Sequence, residues 1–220
     1  MNIICIIPAR GGSKRIKNKN LVDLGGCPLI LWTINDAKKS MLIDRIIVST
    51  DSEDIKEIAI ENGVEVIDRP ASLSGDTIQV EDAIIHVLNS INEKIDFVVL
   101  LQCTTPFRTD GDIDKGIVKI IQDGADSLFF ATISDQFIWT KDNRCINYDP
   151  NDRPRTQDKY WEIVELGNYI TKPSVYYKKR NRIGGKITHL LVDKISEIDI
   201  DNEFDLMMAR GLVEELNLRC

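Results

Sequence analysis

The sequence predicts one α/β domain over residues 1–220, built on a doubly wound and mostly parallel sheet. Three short apolar runs, at residues 2–7, 45–50 and 96–102, are each bounded by polar or turn residues. Such runs are typical of parallel strands that are covered on both faces. Stretches of helical periodicity lie between the runs, which is the pattern of βαβ units with right-handed crossovers.

Four apolar stripes at three-and-four spacing predict helices. The first stripe stops at Gly63 and the third near Gly124, where glycine permits the left-handed conformation that closes many helices. The fourth stripe predicts a terminal helix with a buried face. The stripes consist of Ile55, Ile58 and Ala59; Val80, Ile84, Val87, Leu88 and Ile91; Ile113, Ile117, Ile120 and Ile121; and Phe204, Met207, Met208 and Leu212.

The regular pattern weakens between residues 134 and 182, where tryptophan and proline are frequent and no clean helix is indicated. We expect this segment to be a β-rich excursion from the domain that meets a partner subunit. The stretch at 181–192 then predicts a turn and a strand.

Composition excludes several classes of protein. The chain is 43% hydrophobic, which suits a globular core, and it carries 28 Lys and Arg against 35 Asp and Glu, a net charge of -7. This balance argues against a general nucleic-acid or membrane-surface binder. No run approaches the roughly 18 apolar residues of a membrane span. The five cysteines have no CxxC spacing, and no signal peptide is recognisable, so we expect a reduced, cytoplasmic protein.

The densest cluster of positive charge follows the first predicted strand. The segment ARGGSKRIKNKN at 9–20, the basic loop, places Arg10, Lys14, Arg15, Lys17 and Lys19 around Gly11 and Gly12. Glycines there allow backbone amides to approach an anion, and the cations neutralise it. The loop has neither Walker nor GxGxxG spacing. It is therefore interpreted as a phosphate-binding loop of another type, with a solvated basic loop as the alternative.

Two acidic positions are candidate ligands for a cation or a ribose. Asp51 directly follows the strand-like run at 45–50, where it would face a ligand crevice or cap the next helix. Asp199 and Asp201 are two residues apart, so at a strand end both carboxylates would converge on one Mg²⁺. The alternative is that Asp201 or Asn202 caps the terminal helix and Asp199 is exposed.

Six segments, in order along nearly the whole chain, resemble the cytidylyltransferases that activate sialic acids and related nonulosonic acids. These CMP-sialic acid synthetases include enzymes for legionaminic and pseudaminic acid. The segments are IIPARGGSKRIKNKN at 6–20, VSTD at 48–51, RPASLSGDT at 69–77, LLQCTTPFR at 100–108, NRIGGKI at 181–187 and IDIDNEFDL at 198–206. The resemblance implies a Rossmann-like nucleotidyltransferase fold, a homodimer, and conversion of CTP and a 2-keto sugar acid to a CMP-sugar and pyrophosphate.

The resemblance also implies roles for individual residues. The triphosphate would be held by the basic loop, the cytidine by the RP and DT segments, the sugar acid by the LLQ glutamine, and Mg²⁺ by two aspartates. Arg10, Lys19 and Asp201 would be catalytic, assisting attack of the sugar's anomeric C2 hydroxyl on the α-phosphorus. The residues so implied are Arg10, Ser13, Lys14, Lys19 and Asn20; Arg69, Asp76 and Thr77; Gln102; and Asp199 and Asp201.

One segment departs from the family pattern and leaves the acceptor sugar open. RPRTQD at 153–158 and ELGNYIT at 165–171 stand where a PRQ-like motif and an NGAxYI-like motif are expected. Leu166 occupies the expected asparagine position, and Asn168 receives no role. Arg155 is carried over as a sugar contact, with a solvated turn as the alternative. The other functions considered are a ketodeoxyoctonate cytidylyltransferase, a nucleotide-binding regulator without catalysis, and an RNA-binding module.

Overall fold

The computed structural model describes residues 1–75, 77–159 and 162–220, and within them it shows one α/β architecture. The strands are β1 (Ile3–Pro8), β2 (Asp23–Leu24), β3 (Cys27–Pro28), β4 (Arg45–Thr50), β5 (Glu65–Asp68), β6 (Phe97–Leu101), β7 (Ser127–Ile133), β8 (Ile163–Thr171) and β9 (Ile187–Leu191). The helices are α1 (Leu29–Lys39), α2 (Glu53–Glu61), α3 (Val80–Ser90), α4 (Asp112–Gln122), α5 (Pro173–Lys179) and α6 (Glu203–Glu215).

The central sheet confirms the predicted fold class. In the described residues its strand order is β5-β4-β1-β6-β8-β7-β9. β1 pairs in parallel with both β4 and β6, and β8 is the strand that runs antiparallel to its neighbours. Residues of β1 alternate between two hydrophobic clusters, one on each face of the sheet. After β1 the chain adds β4 and β5 on one side of it and then adds β6 on its opposite side. The direction in which strands are added to the sheet therefore reverses at β1.

The predicted strands and the first three predicted helices are present. α2 begins after Ser52, whose hydroxyl accepts a hydrogen bond from the Ile55 amide at 3.5 Å. The glycines predicted near the ends of α2 and α4, Gly63 and Gly124, have φ of 67° and 57°. These are left-handed conformations, which glycine adopts at little cost. The strand predicted within 181–192 is β9.

The segment at 134–182 differs from its prediction. β8 lies between β6 and β7 inside the main sheet, and α5 is a helix. The described parts of 134–162, which we call the connecting segment, hold none of the numbered strands and helices. The misjudged helix begins at Pro173, which occupies the first helical turn, where a missing amide proton costs nothing. Pro173 was counted as a sign of irregular structure, but it marks the start of α5.

The terminal helix is present as α6, but the prediction of its buried face was wrong. Phe204, Met207 and Met208 are 64%, 58% and 48% exposed, whereas Leu212 is partly buried. The residues of α6 that are buried are instead Leu206, Ala209 and Val213, which pack with Leu24, Leu29, Trp32 and Ile200. The β2–β3 hairpin and α1 therefore determine which face of α6 is buried, and that face does not carry the largest apolar side chains of the helix.

A disulfide joins Cys27 in β3 to Cys220 at the end of the chain, across a sequence separation of 193 residues. The cysteine spacing gave no sign of this pair, and its presence differs from what a reduced protein would show. The remaining cysteines, Cys5, Cys103 and Cys145, are free thiols. No helix in the described residues is long and apolar enough to cross a membrane.

Breaking this disulfide is expected to destabilise the protein, since a cross-link over so long a loop removes much entropy from the unfolded chain. We expect Cys27→Ser to lower the free energy of unfolding by up to about 5 kcal/mol. Denaturant unfolding of oxidised wild type and variant measures this. Cys145→Ser, which leaves the disulfide intact, is the control. An unfolding midpoint that is the same with and without reductant would show that the cross-link adds no stability.

Candidate active site

A cleft of about 500 Å³ opens at the carboxyl ends of β1 and β6, beside the point where the strand order reverses. Open α/β sheets bind their ligands at this position. We call it the main cleft. Its lining combines residues from the start, the middle and the end of the chain: Pro8, Arg10, Ser13, Lys14, Arg15, Ile16, Lys19, Asn20, Arg69, Leu73, Gly75, Ile78, Gln79, Val80, Gln102, Cys103, Thr104 and Asp201.

The basic loop supplies the cationic wall of the main cleft. Arg10, Lys14 and Lys19 all line it, together with Ser13 and Asn20. Asn20 is 7% exposed, and its side-chain amide donates to the carbonyl oxygen of Arg10 at 3.0 Å, which fixes the loop on itself. The Arg10 guanidinium donates to the carbonyl oxygen of Ser74 at 3.4 Å. All five loop residues with a predicted nucleotide role therefore lie together.

Gly11 of the basic loop has a different role from the one predicted. Neither Gly11 nor Gly12 lines the main cleft. The Gly11 amide donates to the Asp51 carboxylate at 2.9 Å and is therefore not directed at a bound phosphate. A Cβ on Gly11 would lie 2.9 Å from the Cβ of Ser52. Gly11 is thus required for close packing of the loop on the start of α2, and Asp51 fastens the loop while Ser52 caps the helix.

We therefore expect Gly11→Ala to destabilise the protein. A methyl group forced to within 2.9 Å of Ser52 must displace backbone or side chain, and overpacking of this kind typically costs about 1–3 kcal/mol. Thermal or denaturant unfolding measures the effect. Gly12→Ala is the matched control, because its added methyl meets no atom within 4 Å. Equal stability of the two variants would show that the loop does not depend on this contact.

The basic loop meets the acidic end of the chain inside the main cleft. Lys19 donates to the Asp201 carboxylate and to the carbonyl oxygen of Ile200, each at 2.9 Å. Arg15 approaches the other carboxylate oxygen of Asp201 at 3.3 Å. The Lys19 side chain is 15% exposed and that of Asp201 is 50% exposed. Cations and a carboxylate that are distant in sequence therefore form one charged crevice.

Asp199 lies next to this crevice, although not in the way its spacing predicted. Residues 198–201 are not part of a strand, so the strand-end argument for two convergent carboxylates was wrong. Asp199 is exposed as a residue, but its carboxyl group lies near Thr104, Lys19, Asp201 and Asp205. Loss of hydration raises the pKa of Asp199, and the negative charge of Asp201 raises it further. A hydrogen bond with Thr104 lowers the same pKa and so opposes the shift.

The helix cap is provided by Asn202, which leaves Asp201 available to the main cleft. The Asn202 side chain accepts from the amides of Phe204 and Asp205 at 2.9 and 3.1 Å. Asp205 reciprocates by accepting from the amides of Asp201 and Asn202. This capping box fixes the backbone at Asp201. Of the two alternatives drawn from the sequence, capping by Asn202 and a site role for Asp201 are therefore compatible.

Arg69 borders the main cleft from the end of β5 and is 8% exposed. Its guanidinium donates to the hydroxyl and the carbonyl oxygen of Ser49 at 3.1 and 2.6 Å. Burial lowers the pKa of Arg69, and Arg10 lowers it further. Asp76 lies outside the described residues. Thr77 is exposed beside Gly75 and Ile78, two lining residues, and does not itself line the cleft.

The chain after β6 forms the floor of the main cleft. Gln102, Cys103 and Thr104 all line it, and the Thr104 carbonyl oxygen accepts from the Ile200 amide at 2.8 Å. This bond joins the floor to the acidic end of the chain. Burial raises the pKa of the Cys103 thiol to about 12, so this cysteine is a neutral lining group and not a thiolate nucleophile.

Arg155, a predicted sugar contact, lies away from the main cleft of its own chain. It lies in the connecting segment with its side chain 72% exposed and paired with Asp158 at 2.7 Å. Asn168, to which the sequence assigned no role, is 3% exposed on β8. Its side-chain oxygen accepts from Arg108 at 2.9 Å. Asn168 is therefore a buried structural group.

Comparison with known proteins decides the family. Residues 4–192 match the sequence profile of the cytidylyltransferase family. The chain belongs to this family. A pseudaminic acid cytidylyltransferase of Campylobacter jejuni (serotype O:23/36, strain 81-176) is 37% identical to this chain, and the alignment covers 96% of each of the two proteins. N-acylneuraminate cytidylyltransferase A of Danio rerio is 31% identical, and the alignment covers 96% of the chain but 51% of that relative.

Solved structures agree with the fold of the cytidylyltransferase. The structure of CMP-2-keto-3-deoxy-manno-octonic acid synthetase complexed with CTP matches with a TM-score of 0.74 at 17% identity, covering 98% of the chain and 100% of that structure. The crystal structure of 4-diphosphocytidyl-2C-methyl-D-erythritol synthase from Anaerococcus prevotii gives a TM-score of 0.73 at 16% identity, covering 97% and 96%. These structures support the fold, and the family match together with the two relatives confirms the resemblance seen in the sequence.

Several cleft residues of the cytidylyltransferase were missed by sequence reasoning. Gln79 and Val80 reach the cleft from the start of α3, and Thr104 reaches it from the loop after β6. Thr104 follows a predicted strand, so its position alone was a usable signal. Gln79 and Val80 gave no such signal, because polar and apolar residues are both common at the start of a helix.

Proposed function

We propose that the protein joins CTP to a nonulosonic acid, giving a CMP-sugar and pyrophosphate. The observation that carries the proposal is the single cleft in which Lys19 of the basic loop meets Asp201 of the acidic end. The pseudaminic acid cytidylyltransferase supports this acceptor class, because it aligns over 96% of both chains at 37% identity.

The basic loop would hold the triphosphate of CTP. Arg10, Lys14 and Lys19 would bind its phosphate oxygens, with Ser13 and Asn20 ordering the loop around them. Arg69, Asp76 and Thr77 would border the cytidine. Of these, Arg69 is anchored through Ser49, so its contribution would be positive potential and a rigid wall. Fixed cations of this kind stabilise charge without reorganisation during reaction.

The reaction would be an in-line attack by the anomeric C2 hydroxyl of the sugar acid on the α-phosphorus of CTP. The C2 oxygen forms a bond to the α-phosphorus and its proton passes to water, while the bond from the α-phosphorus to its bridging oxygen breaks and pyrophosphate leaves with the electron pair. Gln102 would orient the sugar acid from the floor of the cleft. Arg10 and Lys19 would stabilise charge that builds on the phosphate oxygens, which is the main protein contribution to phosphoryl transfer.

Asp199 and Asp201 would hold Mg²⁺. Two carboxylates fit this ion, which takes one or two of them and completes its shell with water and substrate phosphate. The described residues contain no cluster of three or more His, Cys, Asp or Glu side chains suited to a metal, so phosphate and water would supply the remaining ligands. When bound, the ion supplies neutralisation of phosphate charge and a lower pKa for the attacking hydroxyl.

We infer a homodimer that uses the connecting segment. This segment and its flanking strands expose large apolar side chains: Ile133, Ile138, Trp139, Ile146 and Val164. Arg155 lies on the same segment and would contact the acceptor in the main cleft of the partner. Sedimentation at several concentrations tests the dimer, and Ile146→Glu is expected to shift it towards monomer. A wild-type monomer at all concentrations would overturn this assembly.

We also infer a cytoplasmic location, as expected for an enzyme that consumes a nucleoside triphosphate. Reducing compartments disfavour disulfides. The Cys27–Cys220 pair is therefore expected as two thiols in the cell and as a disulfide after oxidation. Alkylation at the moment of lysis, followed by mass analysis, distinguishes the two states.

Pyrophosphate release tests the proposed function. Purified protein is incubated with CTP, Mg²⁺ and a panel containing N-acetylneuraminic, pseudaminic, legionaminic and ketodeoxyoctonic acids. We expect release with at least one nine-carbon acid and the formation of its CMP-sugar. Release only with ketodeoxyoctonic acid would assign the enzyme to the eight-carbon acceptor. Tight binding of CTP with no release on any acid would indicate a nucleotide-binding regulator instead.

A further inference from the structure

We propose that Arg108 is a positioning residue that fixes Gln102 for the acceptor sugar acid. This inference rests on the proposed function, in which Gln102 contacts that acid. Arg108 follows the floor of the main cleft but does not line it. Its side chain is 6% exposed, so it acts on the site through other residues.

The backbone of Gln102 is held by Arg108 at the point where the sheet ends. Leu101 and Asn168 form the last pair between β6 and β8. Immediately beyond this pair, the carbonyl oxygen of Gln102 accepts from the Arg108 guanidinium at 2.7 Å. The Thr105 amide approaches the same oxygen at 3.4 Å. Where the chain leaves β6 for the cleft floor, a side-chain donor therefore replaces the backbone donors of the neighbouring strand as the partner of this carbonyl oxygen.

The same guanidinium holds the neighbouring strand. Two of its nitrogen atoms donate to the side-chain oxygen of Asn168, at 3.2 and 2.9 Å. Asn168 follows Gly167, and a Cβ on Gly167 would lie 3.4 Å from the side-chain nitrogen of Gln102. The Gln102 amide thus lies against the Gly167 backbone. Arg108 sets the position of both the residue that carries this amide and the strand on which the amide rests.

The opposite end of Arg108 is anchored in α1. Its remaining terminal nitrogen donates to the Thr33 hydroxyl at 3.2 Å and lies 3.4 Å from the Asp36 carboxylate. One planar group thereby connects α1, the cleft floor and β8. Lysine has a single nitrogen and lacks the fixed fork of donors that this geometry uses. Burial lowers the pKa of Arg108, and Asp36 opposes that shift.

Steady-state kinetics with both substrates tests the proposal. In Arg108→Lys we expect kcat/KM for the acceptor acid to fall at least tenfold, while the Kd of CTP, measured by calorimetry, stays within twofold. Asp36→Asn is the matched control, because it weakens the α1 anchor of the same guanidinium and leaves the contacts to Gln102 and Asn168. It is expected to lower the unfolding temperature but to change acceptor kcat/KM less than threefold.

A second readout does not depend on turnover. In the ¹⁵N–¹H spectrum of the CTP complex, the Gln102 side-chain amide is expected to shift or broaden in Arg108→Lys and to keep its position in Asp36→Asn. Wild type that releases no pyrophosphate with any acid would overturn the proposed function, and this spectrum would still test Arg108. Equal changes in both variants, or an unchanged amide in Arg108→Lys, would show that Arg108 only stabilises the fold.

Discussion

Turnover in Asp201→Asn is expected to fall by about 10²–10³, the loss typical when one preorganised charge-stabilising group is removed. Asparagine keeps the size of the side chain and one oxygen acceptor, but it removes the negative charge between Lys19 and Arg15. That charge is also the one proposed to hold Mg²⁺. The backbone is unaffected, since the Asp201 amide still donates to Asp205 at 2.8 Å. The defect is therefore expected in kcat, with the unfolding temperature nearly unchanged.

Titration with Mg²⁺ separates the two roles of the Asp201 carboxylate. If it holds the ion, the Mg²⁺ concentration that gives half-maximal pyrophosphate release will rise in Asp201→Asn. Glu203→Gln is the matched control, because this neighbouring glutamate is exposed in the first turn of α6 and does not line the cleft. A kcat for Asp201→Asn within threefold of wild type would show that Asp201 is not needed for catalysis and serves only as an ion-pair partner of Lys19.

The parts of the fold that sequence predicted are those with a strong local signal. Every residue of β1 from Ile3 to Ile7 is buried, so its apolar run is unbroken and unambiguous. α2 has both a cap, Ser52, and a glycine stop, Gly63, at its ends. The ends of such elements can be predicted from their own residues. The alternation of strands and helices then indicates the doubly wound topology.

The parts that sequence did not predict depend on contacts between distant segments. Cys27 and Cys220 share no spacing motif, because their pairing follows from where α6 docks. The face that α6 buries was misjudged for the same reason, since the hairpin and α1 accept Leu206 and Ala209 and leave Met207 in solvent. β8 was hidden because it enters the sheet antiparallel, after a segment with no regular pattern.

The candidate site shows the same division. The cations of the basic loop and Asp201 were recognised from their residue types and from resemblance. Their meeting at 2.9 Å became visible only in the fold. The contact of Gly11 with Asp51 was also not predicted, because a glycine among basic residues suggests a bound phosphate and not the carboxylate at the end of a neighbouring strand.

Lys19→Met is expected to lower kcat/KM for CTP by about 10²–10³, from the loss of one cation aimed at the triphosphate. Methionine replaces the buried stem of the lysine and removes only its ammonium group. In the free enzyme that group bridges Asp201 and the Ile200 carbonyl at 2.9 Å, so its position is set before CTP binds. The defect should appear in kcat as well as in KM if Lys19 stabilises the charge that develops during transfer.

Lys17→Met provides the matched control for charge in the same loop. Lys17 is exposed and does not line the main cleft, so its removal changes the net charge equally but leaves the crevice intact. We expect its kcat/KM to stay within about threefold of wild type, because exposed charges are screened by salt. Equal losses in the two variants would mean that the loop attracts CTP only through its general positive potential. A loss confined to Lys19→Met would locate the effect at the contact between the two ends of the chain.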